Sequence, residues 1–359
     1  MHYFSSFTGA GGFDLAVPED WQRVGFSEID KYANMVLRYR FPDVKNYGDI
    51  NAIKWEEVPD FEVLFGGTPC QDLSMAGKRA GLSGKRSGLF FEFARCLTEK
   101  KPNYFIWENV GGALSSNGGW DFARVLIEFT KRGYDVQWQI LNAKDFGVPQ
   151  NRQRIFVIGH LRNRSIREVF YKPKNSEPYN EGVGSRISYA LDASYYKGTN
   201  TTKKSRRQLI EISDNQPQGN RIYSSDELSV TLKAEAGGQR GKTGLYEVIV
   251  HNMQPRSPTR PSADRGGSGH LTRNDGITYT VDTGNTNAVE INKRIRRLTP
   301  LECERLMGWE DEWTKYGIGD NGNKITINDT QRYKMCGNGV VSNVVKWLIE
   351  NVILRDNHA

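Results

Sequence analysis

The chain has 359 residues, 37% of them hydrophobic, and no run of 18 apolar residues, so the sequence allows a large buried core and excludes a membrane-spanning helix. Its formal net charge is +7, and all of that excess lies in residues 197–297, which hold 17 basic and 10 acidic side chains. A neutral body with one basic segment predicts either a module that binds a polyanion or a solvated region rich in Lys and Arg.

The first 160 residues alternate short apolar runs with longer amphipathic ones. This alternation predicts βαβ units around a largely parallel sheet, in which the strand near Trp138 is either a regular member or an antiparallel addition. Apolar residues at helical spacing predict helices over 31–39, 89–99 and 120–131. The short runs predict strands over 3–8, 23–28, 62–65, 103–108, 134–141 and 154–160.

The composition changes after residue 172, because residues 173–295 are rich in Gly, Ser, Thr, Asn and Pro. Short strands joined by glycine turns are predicted there. Helical patterns return at Thr299 and Pro300, which resemble a helix start. The strongly apolar run 340–353 predicts a further helix, which we expect to pack back on the first domain.

Residues 7–12, FTGAGG, join the first strand to a predicted helix, and glycines at such a turn let a ligand approach the backbone. Glu28 ends the next strand, where an acid can bind ribose hydroxyls. The dinucleotide-binding pattern is incomplete because Asp14 replaces its last glycine. A nucleoside site and a tight structural turn both remain open, and Asp49 is either an adenine ligand or a turn residue.

Four cysteines, at positions 70, 96, 303 and 336, form no CxxC pair and have no His near enough for a zinc pattern, so no metal is expected. Cys70 lies in the loop 66–74, directly after a predicted strand, and the carboxyl ends of strands are where open α/β sheets place their chemistry. Cys70 is therefore either a nucleophile with a stabilised thiolate or an inert buried thiol. The inert role is preferred for the other three cysteines.

Glu108 emerges from an apolar strand, and burial there would raise the pKa of its carboxyl and favour the protonated form as a hydrogen-bond donor. The alternative is an ordinary acid at a helix start. Further along, Arg152 and Arg154 lie where a strand begins, and alternation along the strand predicts that they share a face. Taken separately, each of these features favours a structural role over a chemical one.

The order of these motifs along the chain is more specific than any one of them. The Gly-rich turn, Pro69-Cys70-Gln71, Glu108-Asn109-Val110 and the segment QNRQR at 150–154 follow one another at successive strand ends. Together they strongly resemble the DNA cytosine-5 methyltransferases, in particular the small bacterial and phage enzymes of restriction–modification type. The resemblance covers nearly the whole chain, through RLTP at 297–300, RLMG at 305–308 and CGNGVV at 336–341.

The resemblance implies an α/β fold class, namely a Rossmann-like sheet of the S-adenosylmethionine-dependent methyltransferases with a second, smaller, mostly β target recognition domain. A catalytic methyltransferase domain would span residues 1–178 and be completed by 328–359 packing back on it. The target recognition domain would span 179–297, and residues 298–327 would form a hinge or return segment.

S-adenosyl-L-methionine is the implied cofactor and would lie across the sheet edge. Phe7 would stack on its adenine, the glycines of the turn would allow close approach, and Glu28 would bind the ribose. Gly339 stands where the family often has a small polar residue. The backbone contact to the cofactor stays possible there, but the side-chain hydroxyl is lost. The implied cofactor-binding residues are Phe7, Gly9, Gly11, Gly12, Glu28, Ile29, Asp49, Ile50, Pro69, Leu89, Asn338 and Val340.

The resemblance also implies the chemistry. Cys70, as a thiolate, would add to C6 of cytosine and make C5 enamine-like, while Glu108 would hydrogen-bond N3 and the exocyclic amine. Arg154 would neutralise charge near O2, and Arg152 would anchor the loop or backbone. The implied catalytic set is Cys70, Gln71, Glu108, Arg152 and Arg154, acting on a base flipped out of the duplex.

Double-stranded DNA is the implied partner. Thr280 and Val281 rival Thr231 and Leu232 as the Thr-apolar pair of the recognition domain, and they lie in an extra stretch over 249–293 that is longer than the smallest relatives carry. The implied DNA-binding residues are Ser74, Lys78, Arg79, Gln218, Arg221, Thr231 and Leu232.

The N-terminus lacks the basic start and apolar stretch of a signal peptide, so we expect a cytoplasmic protein with no membrane partner. The resemblance implies a monomer that is bacterial or phage-encoded. The implied role is the modification enzyme of a restriction–modification system, matched in function to a restriction endonuclease. An RNA methyltransferase of the same fold and a catalytically inactive DNA-binding relative are the alternatives. The basic module argues against the first, and the complete catalytic set argues against the second.

Overall fold

The computed structural model describes residues 1–69, 88–162, 210–211, 222–224, 245–246, 249–253, 271–291 and 294–354. Its central elements confirm the six strands and the helices predicted over 31–39, 89–99 and 120–131, with small shifts at their ends. The helix predicted after the turn at 7–12 is wrong, because the structure has a single 3₁₀ turn there, Asp14–Ala16, which ends before Pro18. The helices are α1 (Lys31–Arg40), α2 (Gly88–Lys100) and α3 (Trp120–Lys131). The strands are β1 (His2–Ser6), β2 (Gln22–Ser27), β3 (Val63–Gly66), β4 (Tyr104–Val110), β5 (Tyr134–Asn142) and β6 (Gln153–Leu161).

These six strands form one sheet in the order β2-β1-β3-β4-β6-β5. Strands β1 to β4 pair in parallel, whereas β6 is antiparallel to both β4 and β5. The strand that contains Trp138 is β5, and it joins the sheet at its edge through an antiparallel pairing. This pairing decides between the two alternatives that the sequence leaves open.

Both faces of the sheet are buried over β3, β4 and β6, whereas the edge strand β5 is partly exposed. Successive side chains of a strand point to opposite faces, so burial of both faces explains the nearly continuous apolar runs of the central strands. One face packs against α1 and the C-terminal helices and includes Tyr3, Phe65, Ile106 and Phe156. The other face packs against α2 and α3 and includes Phe4, Leu64, Phe105 and Val157.

The described strands between residues 163 and 297 form two small sheets. The first contains β7 (Ile210–Glu211), β8 (Ile222–Ser224) and β9 (Leu245–Tyr246). The second is antiparallel, in the order β11-β10-β12-β13, and contains β10 (Ile249–Asn252), β11 (Leu271–Arg273), β12 (Asn287–Ile291) and β13 (Arg294–Arg297).

Much of the extra stretch over 249–293 is packed into the protein. Val250, Val281 and Val289 are buried in the same hydrophobic cluster as the first face of the central sheet. The described part of this stretch is therefore a structural element and not a solvated loop.

The remaining elements are α4 (Pro300–Leu306), a hairpin of β14 (Tyr316–Ile318) and β15 (Lys324–Thr326), then α5 (Asp329–Asn338) and α6 (Ser342–Leu348), which continues as a π-helix over Ile349–Ile353. Helix α4 confirms the predicted helix start, since Thr299 and Glu302 form a reciprocal capping box around Pro300. Helix α6 and its extension pack on the first face of the sheet. Within the described ranges, every helix is too short or too polar to span a membrane.

Candidate active site

Four neighbouring strands of the central sheet end at one level on the same edge. Ser6 of β1 pairs with Ser27 of β2 and with Gly66 of β3, and Gly66 pairs with Trp107 of β4. The residues that follow this level lie side by side at the carboxyl ends of the parallel strands, where open α/β sheets bind ligands. These residues are Glu28, Phe7, Gly67 and Glu108.

The turn after β1 leaves its backbone open to a ligand. Gly9 and Gly11 have φ angles of 58° and 90°, in the left-handed region that glycine adopts freely. Phe7 also has a left-handed φ, of 52°, which costs about 1–3 kcal/mol for a residue with a side chain. A Cβ atom at position 9 would meet no described atom within 4 Å beyond its chain neighbours. The turn thus leaves room over Gly9 that the implied cofactor could occupy.

Glu28 is held at the edge of this turn by three backbone N–H groups. The N–H of Gly9 donates to Oε2 at 2.6 Å, while those of Ile29 and Asp30 donate to Oε1 at 2.8 and 2.7 Å. Burial raises the pKa of the Glu28 carboxyl, and the three donors oppose that rise. The carboxyl group therefore has a fixed orientation beside the open space over Gly9, as the binding of a ribose would require.

Asp49 and Ile50 lie next to the end of β2. The hydroxyl of Ser27 donates to the carbonyl of Gly48 at 2.7 Å, which fixes the segment that leads into Asp49. Asp49 is exposed, and its Oδ1 accepts hydrogen bonds from the backbone and side-chain nitrogens of Asn51 at 3.0 and 2.7 Å. The second carboxylate oxygen, Oδ2, is the one that would accept a hydrogen bond from an adenine amino group at this edge.

Three further predicted cofactor residues lie at the same sheet edge. Ile29 has 73% of its surface exposed, an unusual state for an isoleucine, and it follows the half-buried Glu28. Leu89 is half-buried in the first turn of α2, and Pro69 is exposed three residues after the end of β3. Their apolar side chains are compatible with contact to a nucleoside.

The turn between α5 and α6 is in direct contact with the glycine turn. The hydroxyl of Ser342 donates to the carbonyl of Gly12 at 2.6 Å. A Cβ atom at position 12 would lie 2.9 Å from the carbonyl oxygen of Val340, so this contact requires glycine. The structure thus brings Gly12 and Val340 together, with Asn338 exposed beside them.

Two tryptophans to which no sequence motif points hold these turns in place. The indole N–H of Trp309 donates to the carbonyl of Val340 at 3.2 Å, and that of Trp313 donates to the carbonyl of Ala10 at 2.6 Å. Both side chains are buried. The sequence gives one indication of this role. Two tryptophans lie in a short segment after α4, and a buried indole N–H needs a hydrogen-bond acceptor.

Glu108 lies at the base of the loop that leads to Cys70. Its Oε1 forms an ion pair with Nε of Arg154 at 3.1 Å, and both side chains are largely buried. A Cβ atom at Gly67 would lie 3.0 Å from Oε2 of Glu108, so the carboxyl group touches the backbone three residues before Cys70. Cys70 and Gln71 themselves lie outside the described residues.

Two neighbours of Glu108 fix the start of that loop. Asn109 donates from its side-chain amide to the carbonyl of Thr68 at 3.1 Å, and the indole of Trp107 donates to the Thr68 hydroxyl at 3.1 Å. Strand β4 therefore carries the carboxyl group and also anchors the loop opposite it.

Arg152 is placed differently from Arg154. Its buried guanidinium donates to the carbonyl oxygens of Val281, Gly337 and Gly339, at distances of 3.0, 3.0 and 2.6 Å. These contacts join the β6 side of the sheet to the turn after α5 and to residues 280–281. They fit the anchoring role that the resemblance implies for Arg152.

The pKa of the Glu108 carboxyl is raised above its ordinary value of 4.5 because burial penalises the charged form. The positive charges of Arg154 and Arg152 oppose this effect without cancelling it. Burial therefore shifts Glu108 toward the protonated form, which is the form that can donate a hydrogen bond.

We expect the stability of Glu108→Gln relative to the wild type to increase as pH rises. In the unfolded chain Glu108 ionises at its ordinary pKa, whereas the folded protein retains the proton to higher pH. The folded state of the wild type therefore loses stability as pH rises from the ordinary pKa through the raised one, and the variant does not. Denaturant unfolding of both proteins between pH 4 and 8 should show a difference that grows with pH. A difference that stays constant or shrinks would contradict the assigned pKa shift.

The segment that contains Thr280 and Val281 is bound to the loop before Arg152. The hydroxyl of Thr280 donates to the carbonyl of Asn151 at 2.8 Å, and the N–H of Val281 donates to Oε1 of Gln150 at 2.9 Å. The seven residues predicted to bind DNA all lie outside the described ranges: Ser74, Lys78, Arg79, Gln218, Arg221, Thr231 and Leu232. In the part of the chain that the structure describes, His, Cys, Asp and Glu side chains form no cluster able to hold a metal ion.

The chain is similar to known proteins along nearly its whole length. Residues 1–354 match the family model described as C-5 cytosine-specific DNA methylase. The chain is 30% identical to the type II methyltransferase M.HhaI of Haemophilus parahaemolyticus, across 98% of this chain and 94% of that protein. It is 26% identical to the orphan methyltransferase M.SPRI of Bacillus phage SPR, across 98% and 97%. A putative DNA modification methyltransferase encoded within an E. coli prophage has a similar structure, with a TM-score of 0.61, 16% identity and full coverage of both chains.

Proposed function

Because the chain belongs to the C-5 cytosine-specific DNA methylase family, we propose that it methylates C5 of a cytosine flipped out of duplex DNA, through a covalent bond between the Cys70 sulfur and C6 of the base. As a member of this family, the protein is an S-adenosylmethionine-dependent DNA (cytosine-5-)-methyltransferase with a mixed α/β fold. The observation that supports the covalent mechanism best is the buried pair of Glu108 and Arg154 against Gly67, at the base of the Cys70 loop.

In this proposal Cys70 is the nucleophile and Glu108 is the hydrogen-bond donor. Addition of the thiolate to C6 moves electron density into the ring, toward N3 and C5. The protonated Glu108 carboxyl bonds N3 and stabilises that density, while Arg154 neutralises charge near O2. The activated C5 would then accept the methyl group that S-adenosylmethionine supplies, leaving S-adenosylhomocysteine. Loss of the C5 proton to solvent and expulsion of the Cys70 thiolate then release 5-methylcytosine.

The cofactor supplies an electrophilic methyl group when bound, and the residues around the glycine turn fit it. Glu28 would bind the ribose, Phe7 would contact the adenine, and the backbone of Gly9 to Gly12 would approach the methionine part. The fit rests on the open space over Gly9 and on the fixed carboxyl group of Glu28 beside it.

We place the DNA-reading module at residues 179–297, on a catalytic domain of residues 1–178 completed by 328–359, with 298–327 as the return segment. The basic excess of residues 197–297 and their short strands support this division. Thr231 and Leu232 are kept as the pair at the target base, because Val281 of the rival pair is buried in the core and the Thr280 hydroxyl is bonded to the carbonyl of Asn151.

Part of the basic excess is already neutralised within the protein. Arg273 pairs with Asp275, and Arg296 pairs with Glu302 in a bidentate contact. The connection between β10 and β11, residues 254–270, contains three more arginines, at positions 256, 260 and 265. We propose that these three contact DNA phosphates.

Replacing Arg256, Arg260 and Arg265 by serine is therefore expected to weaken DNA binding and to flatten its salt dependence. Removal of one phosphate contact lowers the slope of log K against log salt by about 0.9. Fluorescence anisotropy on one duplex at several salt concentrations measures the slope. Serine at Lys54, Lys131 and Lys346 is the control, because it removes the same charge from other surfaces. Equal flattening in both variants would contradict specific phosphate contacts.

The acceptor decides between the proposed function and an RNA methyltransferase of the same fold. Transfer of a labelled methyl group to duplex DNA and not to tRNA is the expected result. Bisulfite sequencing of DNA from cells that express the protein would then give the methylated sequence. Protection of that sequence from one restriction endonuclease would support a role in restriction–modification.

A further inference from the structure

Gly339 does not have a backbone conformation that requires glycine. Its φ and ψ angles, −75° and 171°, are extended values that any residue adopts. The requirement comes from a neighbour, because a Cβ atom at position 339 would overlap Cζ2 of Trp309 and lie 2.7 Å from its Cη2. Two carbon atoms normally keep about 3.5 Å or more apart. The indole of Trp309 therefore explains why this turn lacks a side chain, and with it the hydroxyl common in the family.

The indole cannot easily move away from Gly339. Trp309 is only 4% exposed, and its indole N–H is bonded to the carbonyl of Val340. Its own backbone N–H donates to the carbonyl of Glu304 at 2.9 Å. The preceding residue, Gly308, has a φ of 71°, and a Cβ atom there would overlap the side chain of Asn343. Hydrogen bonds of the Trp309 backbone and of its indole N–H therefore hold the ring in place.

The same edge of the ring also reaches the glycine turn. A Cβ atom at Gly12 would lie 3.3 Å from Cζ2 of Trp309. The indole therefore lies against two turns at once, that of Gly12 and that of Gly339 and Val340. The separation of these turns depends on the size of this ring.

We propose that Trp309 is a positioning residue that sets the spacing of the two turns, and through it the affinity for S-adenosylmethionine, with Gly339 as its size-matched partner. The proposal rests on the proposed placement of the cofactor against these turns. Under this proposal the effects of substitutions at Trp309 and Gly339 are coupled. A larger residue at position 339 is tolerated only beside a smaller residue at position 309.

Three variants test this unit: Gly339→Ser, Trp309→Phe and the double variant. We expect Gly339→Ser to bind S-adenosylmethionine about tenfold more weakly and to unfold at lower denaturant, because the added side chain overpacks the contact. Trp309→Phe should also weaken binding, through the missing indole hydrogen bond and the smaller ring. The double variant should bind more tightly than Gly339→Ser alone. Calorimetry without DNA measures Kd, and denaturant unfolding of the ligand-free proteins measures stability.

Trp55→Phe provides the matched control, since Trp55 is a fully buried indole in the cluster on the other face of the sheet. Its effects should add to those of Gly339→Ser, as expected for distant sites. Additive effects of Trp309→Phe and Gly339→Ser would overturn the size match. Coupling in unfolding but none in Kd would overturn the positioning role alone. A wild-type protein that does not bind S-adenosylmethionine would overturn the proposed placement of the cofactor.

Discussion

Cys70→Ala is expected to abolish methyl transfer to duplex DNA while S-adenosylmethionine still binds. C5 of cytosine is a poor nucleophile, and in the proposed mechanism only addition of the Cys70 thiolate to C6 activates it. We expect a rate below about 10⁻⁴ of the wild type, since removal of a covalent nucleophile leaves only binding and orientation. Transfer of a tritiated methyl group measures the rate, and calorimetry measures cofactor binding.

Cys96→Ala is the matched control for Cys70→Ala. Cys96 is fully buried in α2, and burial raises the pKa of its thiol well above the ordinary value, so it stays protonated and inert. This variant should lose some stability and keep its methyl-transfer rate. Activity that survives in Cys70→Ala, or disappears in Cys96→Ala, would contradict the assignment of the nucleophile.

Glu108→Gln is expected to lower kcat by about 10²–10⁴-fold with little change in cofactor affinity. Glutamine keeps the size of the side chain. Its amide N–H is much less acidic than a carboxyl O–H, so it stabilises the negative charge that develops at N3 less well. The loss should therefore appear in kcat and not in the Kd for S-adenosylmethionine. Single-turnover kinetics with saturating DNA and cofactor separate the two.

Glu128→Gln is the control for this second substitution. Glu128 lies on α3, paired with Lys131 and Arg132, and these partners hold the pKa of its carboxyl below the ordinary value. Its replacement should leave kcat unchanged. A Glu108→Gln enzyme with near wild-type kcat would remove Glu108 from the chemistry, even if its effect on stability follows the expected pH dependence.

The sequence predicts the elements of the central sheet well because their apolar patterns are local. Each strand is an apolar run, and each connecting helix has a clear amphipathic spacing, so the ends of β1, β2, β3 and β4 are readable. The same reasoning places Glu28 and Glu108 at strand ends. The register that sets Ser6 beside Ser27 and Gly66 depends on tertiary packing, and no local pattern encodes it.

Other parts of the site depend on contacts between distant segments. Trp313 bonds Ala10 across 303 positions of the chain, and Ser342 bonds Gly12 across 330. The arginines illustrate the limit of a strand-alternation argument. Arg154 lies within β6 beside Glu108, whereas Arg152 precedes the strand and turns to backbone carbonyls.

The covalent bond between Cys70 and cytosine is the central claim, and a duplex with 5-fluorocytosine at the methylation site tests it most directly. Fluorine at C5 cannot leave as a proton does, so an adduct formed with S-adenosylmethionine present cannot resolve. After denaturation, mass spectrometry should show protein and DNA strand joined with one added methyl group, through a peptide that contains Cys70. An ordinary cytosine duplex should give no such species. Active enzyme that forms no adduct, or an adduct on another residue, would contradict the mechanism.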